Sequence, residues 1–323
     1  PSAYLASAAS TKKLTSALLP VRLLVVKDSG IDAALANWTC QATNSLEVST
    51  QPIIQSMPSS IAQRVWDHHC CKAKFEQLLI MASDSVDRAR LLASCSQGSG
   101  DWLHALPLSS VGLKMDNATV RISVGLRLGA PVVRSHTCVC GATVTADGHH
   151  GLSCRHGSGR HSRHNQINDL LCRAFASAGT MATREPQSLC TNTGKRPDGV
   201  TLIPWQRGRC LAWDATCPDT FAMCHVTAGS NEAGSAAASA ELKKCQKYSD
   251  IISGVDFVPV AIETSGVWGK QALELVKEIG RRVAAITYDN RSASLQRLSV
   301  AIQRGNAYCV LGTFPKSHVV DEL

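Results

Sequence analysis

Two aspartates and a lysine-bearing segment lie in the second half of this 323-residue chain. Asp198 begins one apolar, strand-like run, and Asp214 lies inside the next such run. Carboxylate oxygens are the ligands that Mg²⁺ prefers, and a bound divalent ion can activate water and stabilise charge on a phosphate. Lys244 or Lys247, on the segment that follows, could stabilise the same charge. These residue types predict a metal-dependent site for phosphodiester hydrolysis.

The two runs around the aspartates have the pattern of paired strands. Apolar and polar residues suit strands over 197–203 and 209–217, and a short glycine-bearing turn separates them. An antiparallel hairpin of this kind would place Asp198 and Asp214 on one face. The opposite, core-facing side of the second, half-buried strand would carry Leu211, Trp213 and Ala215.

The lysines belong to an alanine-rich segment, 231–253, that predicts a helix beyond Gly234. On a helix, Glu241 and Lys244 lie three residues apart on one stripe, so both are candidates for the site. Lys247 neighbours Lys244, and the spacing does not decide which lysine acts. Alternatively, Asp198 belongs to a Pro-Asp-Gly turn, Asp214 is a solvated strand residue, and the lysines decorate an exposed helix.

A cluster of cysteine and histidine precedes these runs. Cys138, Cys140 and Cys154 supply three thiolates, and either His149 or His150 supplies an imidazole. This ligand set suits a tetrahedral structural zinc ion. The alternative is that these are unrelated cysteines in a chain that contains 14 of them.

A basic run follows the cluster over residues 155–165. Between Arg121 and Arg173 the chain has seven arginines, no lysine and only two acidic residues. Such a run predicts contacts with the phosphate backbone of a nucleic acid rather than a base-reading helix. A solvated loop would normally be mixed in charge. The candidate phosphate ligands are Arg155, Arg160 and Arg163.

Composition favours a globular protein that meets an anionic partner. The net charge is +8 and the isoelectric point about 8.9. The scattered cysteines indicate free thiols and metal binding in a reducing compartment. The apolar run over 17–26 is short and contains Pro20 and Arg22, so no membrane partner is expected. The chain begins at Pro1 rather than methionine, and we expect it to be part of a longer product.

The fold class that these patterns predict is α/β. Three helices, over 61–81, 86–94 and 118–128, would form a helical linker region, and a buried-type strand begins at Phe257. The helices predicted to cover the sheet extend over 270–286 and 292–309.

Three motifs together resemble a known family: Arg-Pro-Asp-Gly at 196–199, Trp-Asp-Ala-Thr at 213–216, and Glu-x-x-Lys-x-x-Lys-Tyr at 241–248. They are similar to the restriction-endonuclease-like domain of early-branching non-LTR retrotransposons, which has the PD-(D/E)XK nuclease fold. The resemblance implies a mixed sheet flanked by helices, with Mg²⁺ or Mn²⁺ held by Asp198 and Asp214. The lysine common two residues after the second carboxylate is Thr216 here, which matches the retroelement branch, where that lysine moves to the following helix.

The resemblance extends upstream to a Cys-Cys-His-Cys zinc knuckle and to a linker that follows a polymerase. The phrase His-Gly-Leu-Ser-Cys at 150–154 favours His150 over His149 as the zinc ligand. His164 corresponds to the start of the first nuclease helix and becomes a candidate DNA contact. The implied organisation is a mostly helical linker region (1–130), a zinc knuckle (131–160), a nuclease domain (161–314) and a tail (315–323).

The function that the resemblance implies is nicking of target DNA to prime reverse transcription in the nucleus, after synthesis in the cytoplasm. Target DNA would be the partner, the element's own RNA a further candidate, and the polymerase would lie upstream of Pro1. The sequence leaves the oligomeric state open. Two other interpretations remain: an inactive, zinc-bearing nucleic-acid-binding module derived from such an element, and a stand-alone repair or junction nuclease.

Overall fold

The computed structural model describes residues 63–157, 159–186, 195–249, 254–288 and 293–314. The chain forms two compact units, 1–82 and 83–323. The described part of the first unit is the helix α1 (Gln63–Met81), which confirms the helix predicted there. The predictions that concern the run over 17–26 and the tail over 315–323 lie outside the described residues.

The second unit begins with helices whose ends are set by side-chain caps. The Asp84 carboxylate accepts a hydrogen bond from the Asp87 amide at 2.8 Å, and the Asp116 carboxylate accepts one from the Thr119 amide at 2.7 Å. Gly129, with a φ of 71°, ends the second helix in the left-handed conformation. Both predicted helices are confirmed as α2 (Ser85–Cys95) and α3 (Asn117–Leu128), with a 3₁₀ turn at Asp101–His104 between them.

A small two-stranded sheet and a short helix follow. The strands β1 (His136–Thr137) and β2 (Thr143–Val144) are antiparallel, and α4 (His149–Ser153) comes after them. We call residues 136–154 the knuckle. The next helix, α5 (Gly159–Ser177), includes most of the arginine run and begins five residues before His164, where the resemblance placed the start of a helix.

The main sheet has four strands in the order β3-β4-β5-β6. Strand β4 pairs antiparallel with both β3 and β5, whereas β5 pairs parallel with β6, so the sheet is mixed. The antiparallel pairing of β4 with β5 confirms the predicted hairpin, although a longer connection joins the strands. The strands are β3 (Ala182–Arg184), β4 (Gly199–Thr201), β5 (Leu211–Thr216) and β6 (Asp256–Ala261).

Helices complete the unit around this sheet. They are α6 (Met223–Gly229), α7 (Ser235–Lys247), α8 (Lys270–Thr287) and α9 (Ala293–Leu311). The predicted core face of β5 is confirmed, because its apolar residues pack with α5, α8 and α9 in one cluster. The other face was expected to be exposed, but Asp214 is only 3 % exposed. The described residues therefore form a mixed α/β protein whose strands β4 and β5 are buried on both faces.

Candidate functional site

The register of β4 and β5 brings the two predicted aspartates together. Gly199 pairs with Trp213, and the Asp198 amide donates to the Trp213 carbonyl at 2.9 Å. The Asp198 carboxylate then turns toward β5 and accepts a hydrogen bond from the Ala215 amide at 2.7 Å. Asp198 is thus bonded to the residues on both sides of Asp214.

The glycine after Asp198 is required by this geometry. A Cβ atom at Gly199 would lie 2.1 Å from the Trp213 indole, far inside van der Waals contact. Trp213 is fully buried and stacks on Phe175, with ring centroids 5.0 Å apart. The indole therefore occupies the space that a side chain at 199 would need, and the Asp-Gly sequence lets β4 approach β5 closely.

Helix α7 supplies two ammonium groups to Asp214. Lys244 Nζ donates to Asp214 Oδ1 at 2.6 Å, and Lys247 Nζ lies 3.7 Å from Asp214 Oδ2. Lys247 also donates to the Tyr248 hydroxyl at 2.8 Å and is the more exposed of the two lysines. Of the two predicted lysines, Lys244 is therefore the closer partner of the Asp214 carboxylate.

His164, predicted as a DNA contact, contacts a carboxylate of the site. Its Nε2 lies 2.9 Å from Asp198 Oδ2. Asn168, one turn further along α5, lies beside the imidazole at 3.4 Å and accepts a hydrogen bond from the Trp213 indole N–H at 2.9 Å. The buried indole thus orients Asn168, which supports the imidazole that holds Asp198. The sequence did not single out Asn168, and its only signal is its position four residues after His164.

The electrostatics of this pair follow from its hydrogen bonds. Burial disfavours the charged form of Asp198, but the bond and positive charge of His164 and the Ala215 amide outweigh it, so the pKa of Asp198 is lowered. The hydrogen bond to Asp198 likewise raises the pKa of His164. Both shifts favour an ionised carboxylate, which is the form that binds a metal ion.

Glu241 does not join the carboxylates. It is 6 % exposed, and its carboxylate accepts a hydrogen bond from the Ala272 amide at 3.1 Å in the first turn of α8. A Cβ atom at Gly269 would lie 2.2 Å from Glu241 Oε1, so the glycine admits the carboxylate. Burial raises the pKa of Glu241. The prediction of a catalytic Glu241 is corrected: the side chain caps a neighbouring helix.

Two other buried carboxylates have structural partners. Asp219 accepts a hydrogen bond from the Thr264 hydroxyl at 3.0 Å. Glu263 accepts one from the Thr220 hydroxyl at 2.9 Å and another from the Ala237 amide at 3.1 Å. Their hydrogen bonds link the segments that follow β5 and β6. Asp198 and Asp214 therefore remain the candidate pair of carboxylates for a metal site.

The predicted metal ligands converge within the knuckle. One ligand atom each from Cys138, Cys140, His150 and Cys154 lies within 4.8 Å of the others. The Cys138 and Cys154 sulfurs are 3.8 Å apart, and Cys140 Sγ lies 3.3 Å from His150 Nε2. Two thiolates on one tetrahedral zinc are also about 3.8 Å apart, because each Zn–S bond is about 2.3 Å. The cluster could therefore bind a metal ion, and its donor set is consistent with Zn²⁺.

The structure separates the two adjacent histidines. His149 stacks on Phe221 with ring centroids 4.2 Å apart, and burial lowers its pKa. His150 alone of the two points into the cysteines. Burial also raises the pKa of the Cys138 thiol to about 11, so metal binding at this cluster would have to displace a thiol proton.

A basic cleft of about 400 Å³ lies beside the carboxylates. It is lined by residues of the arginine run and by Thr216 and Cys217 at the end of β5. Arg155 and Arg160 are exposed at this cleft, as predicted for phosphate ligands, and His161 joins them although the sequence did not single it out.

Arg163 also borders the cleft but is only 2 % exposed. Its guanidinium donates to Asn306 Oδ1 at 2.7 Å and to the Leu152 carbonyl at 3.3 Å. The prediction that Arg163 contacts a phosphate therefore needs correction, because its donors turn inward. Burial of the α5 face that carries Arg163 could not be read from the arginine spacing.

No family model and no curated protein matches this chain. Within the described ranges, every helix lacks either the length or the apolar character that crossing a bilayer requires.

Proposed function

We propose that this chain is the endonuclease portion of a non-LTR retrotransposon product and hydrolyses a DNA phosphodiester with Mg²⁺ or Mn²⁺. The observation that carries the proposal is the Lys244 ammonium, 2.6 Å from the Asp214 carboxylate, beside a second aspartate that immediately precedes the paired strand β4. Two carboxylates and a lysine at one point are the groups that metal-assisted phosphodiester hydrolysis uses.

The contacts suggest a separate role for each of these residues in the reaction. Asp198 uses Oδ2 for His164 and Ala215, and Asp214 uses Oδ1 for Lys244. The candidate metal ligands are therefore Oδ1 of Asp198 and Oδ2 of Asp214, the latter 3.7 Å from the Lys247 ammonium. When bound, the ion supplies Lewis acidity that activates water and stabilises phosphate charge. Lys244 would stabilise the developing negative charge, while His164 holds the Asp198 carboxylate in place.

The basic cleft supports DNA as the substrate. Arg155, Arg160 and His161 line it next to His164, so a backbone phosphate could lie within reach of both the arginines and the carboxylates. The element order supports the PD-(D/E)XK fold: helix α5, strand β3, the β4–β5 pair that carries the aspartates, helix α7 with the lysines, and strand β6. The Cys₃His cluster supports a zinc knuckle beside that fold.

The wider biology belongs to the same proposal. The nick would prime reverse transcription in the nucleus, with target DNA and the element's RNA as partners.

Plasmid nicking tests the chemistry. The purified chain should convert supercoiled to open-circular DNA with Mg²⁺ or Mn²⁺ and not with Ca²⁺, whose coordination is looser. Asp198→Asn and Asp214→Asn should each reduce the rate at least about 10³-fold, because each removes a charged metal ligand. Asp169→Asn, which changes an exposed carboxylate on α5, is the matched control. If both active-site variants nick as fast as the parent, the proposal is wrong.

One observation favours a second candidate, an inactive nucleic-acid-binding module. Asp214 pairs with Lys244 and Asp198 with His164, and such mutually neutralised pairs also occur in purely structural networks. The two functions separate in the same assay, because an inactive module would bind the plasmid at low salt and leave it intact with every divalent ion tried.

A further inference from the structure

The knuckle and the carboxylate site belong to one packed unit. Cys138, Val144, Leu152 and Cys154 of the knuckle are buried in a cluster that also contains apolar residues of α3 and α9. A zinc module on a tether would carry its own small core and share little with its neighbours. The knuckle instead uses α9 as one wall of its core, and α9 also packs in the core of the main sheet.

Glycines allow this close packing. A Cβ atom at Gly151 in α4 would lie 2.8 Å from Val310 Cα, and one at Gly159 in α5 would lie 2.7 Å from the Cys309 amide nitrogen. Both helices therefore approach the backbone of α9 more closely than any side chain would permit. A shift of α4 would be transmitted to α9 and α5 because little free space separates them.

Arg163 joins the three helices at this point. Its guanidinium, carried by α5, donates to Asn306 on α9 at 2.7 Å and to the Leu152 carbonyl of α4 at 3.3 Å. A Cβ atom at Gly305 would lie 2.5 Å from Arg163 Cγ, so the aliphatic part of the Arg163 side chain packs directly against α9 at this glycine. Leu152 itself lies between the candidate metal ligands His150 and Cys154.

The next residue on α5 links this contact to the carboxylates, because His164 holds Asp198 at 2.9 Å. We propose that Arg163 is a positioning residue through which metal binding at the knuckle stabilises the Asp198 side of the carboxylate site. Its kinetic consequences rest on the proposed nuclease function, whereas its structural consequences do not. The metal orders α4, Arg163 docks α5 on α4 and α9, and the docked helix presents His164 to Asp198.

Hydrogen exchange tests the structural part without DNA or nicking. Exchange rates should differ between zinc-loaded and chelator-treated protein at the knuckle amides and also at amides 164–168 of α5. At these α5 amides, removal of the metal should speed exchange at least fivefold. In Arg163→Met those α5 amides should exchange rapidly with or without metal, while Arg173→Met, which removes an exposed arginine from the same helix, should behave like the parent. Faster exchange confined to the knuckle after chelation would overturn the proposal.

Kinetics test the positioning role. Zinc-loaded Arg163→Met should lose at least tenfold in kcat with KM for DNA within twofold of the parent, and Arg163→Lys, which keeps a charged donor, should recover part of that loss. Arg160→Met should instead raise KM and keep kcat. If Arg163→Met raises KM with kcat unchanged, Arg163 is a phosphate contact and the proposal fails.

Two further outcomes are decided by the same experiments. If Arg163→Met does not fold, the exchange and kcat of Arg163→Lys decide, and parent-like values for both would overturn the proposal. If the parent itself does not nick DNA, the proposed function fails, but the exchange experiment still confirms or overturns the link between the knuckle metal and α5.

Discussion

The knuckle and the carboxylate site assemble their polar groups in opposite ways. All four candidate ligands of the knuckle lie within residues 138–154, and β1, β2 and α4 are short elements that bend the chain around one point. The carboxylate site draws His164 from α5, Asp198 from the start of β4, Asp214 from β5 and Lys244 from α7. One site is encoded locally, and the other exists only when a sheet and two helices are correctly packed.

This difference determines what a single substitution can do. In the knuckle, the loss of one candidate ligand would leave three of the four donors that a closed zinc site uses. In the carboxylate site, every group has a partner from another element, so the effect of a change depends on which contact it breaks. The following predictions test the contrast, from the largest expected effect to the smallest.

The knuckle should lose its metal completely when one ligand is removed. Purified parent protein should contain about one zinc per chain and Cys154→Ser close to none, because a structural zinc site needs its four ligands. Elemental analysis after dialysis measures this. Cys172→Ser, a half-buried cysteine on α5 outside the cluster, should keep the metal. Equal zinc in the parent and Cys154→Ser would show that the cluster does not bind it.

The two lysines of the carboxylate site should differ. Lys244→Ala should slow nicking about 100-fold, the order of effect expected when one charge-stabilising donor is lost. Lys247→Ala should slow it less than about tenfold, since Lys247 is 3.7 Å from Asp214 and already donates to Tyr248. Single-turnover rates with saturating enzyme provide the comparison. A larger loss in Lys247→Ala would reverse the assignment.

The exposed part of the arginine run should affect binding rather than chemistry. Arg160→Ala should weaken duplex binding and reduce the slope of log K against log salt by about 0.9, the contribution of one phosphate contact on duplex DNA. Arg173→Ala is the matched control, because Arg173 is on the same helix but pairs with Asp169. Titrations at several salt concentrations measure the slope, and identical slopes for both variants would remove Arg160 from the interface.

The smallest effect concerns the pH dependence of stability in metal-free protein. The raised pKa of His164 stabilises the fold below about pH 6.5, and this contribution is lost as the pH rises through the folded-state value. The lowered pKa of Asp198 stabilises the fold above about pH 3.9 and is lost as the pH falls. The parent should therefore be more stable than His164→Gln, and the difference in stability should be largest between these two pH values. The difference should be small, because the histidine is 40 % exposed.

Thermal or denaturant unfolding from pH 3 to 9 would measure that margin. A parent and a His164→Gln variant whose difference stays constant across the range would indicate that the imidazole and the carboxylate do not interact in solution.

The same contrast explains what the sequence could predict. The hairpin, the longer helices and the core face of β5 follow from periodicity. The three knuckle cysteines follow from residue type and spacing, whereas the choice of His150 over His149 came from the resemblance. Neither rule indicates which carboxylate a side chain reaches. Glu241 and Lys244 lie on the same helix stripe, yet one caps α8 and the other pairs with Asp214. That distinction depends on where α8 begins, which no local pattern near residue 241 encodes.

The burial of Arg163 within the basic run also could not be predicted from the local sequence. Arg160 and Arg163 look equivalent in the sequence, but α5 turns one to solvent and the other against Gly305 of α9. The residue type shows only that both side chains are charged. Only the packing of distant helices decides which charge is available to a ligand.

Helix α9 sets a practical limit on dissecting this protein. Its residues Ala307 and Val310, with Phe314 just beyond it, belong to the core that surrounds the knuckle cysteines, although some 150 residues separate them along the chain. A fragment of residues 131–160 would expose the apolar residues of the knuckle that α9 covers. Ending the chain before Phe314 would expose the same core from the other side. We therefore expect the knuckle to be recovered as a soluble, metal-loaded fragment only when helix α9 is expressed with it.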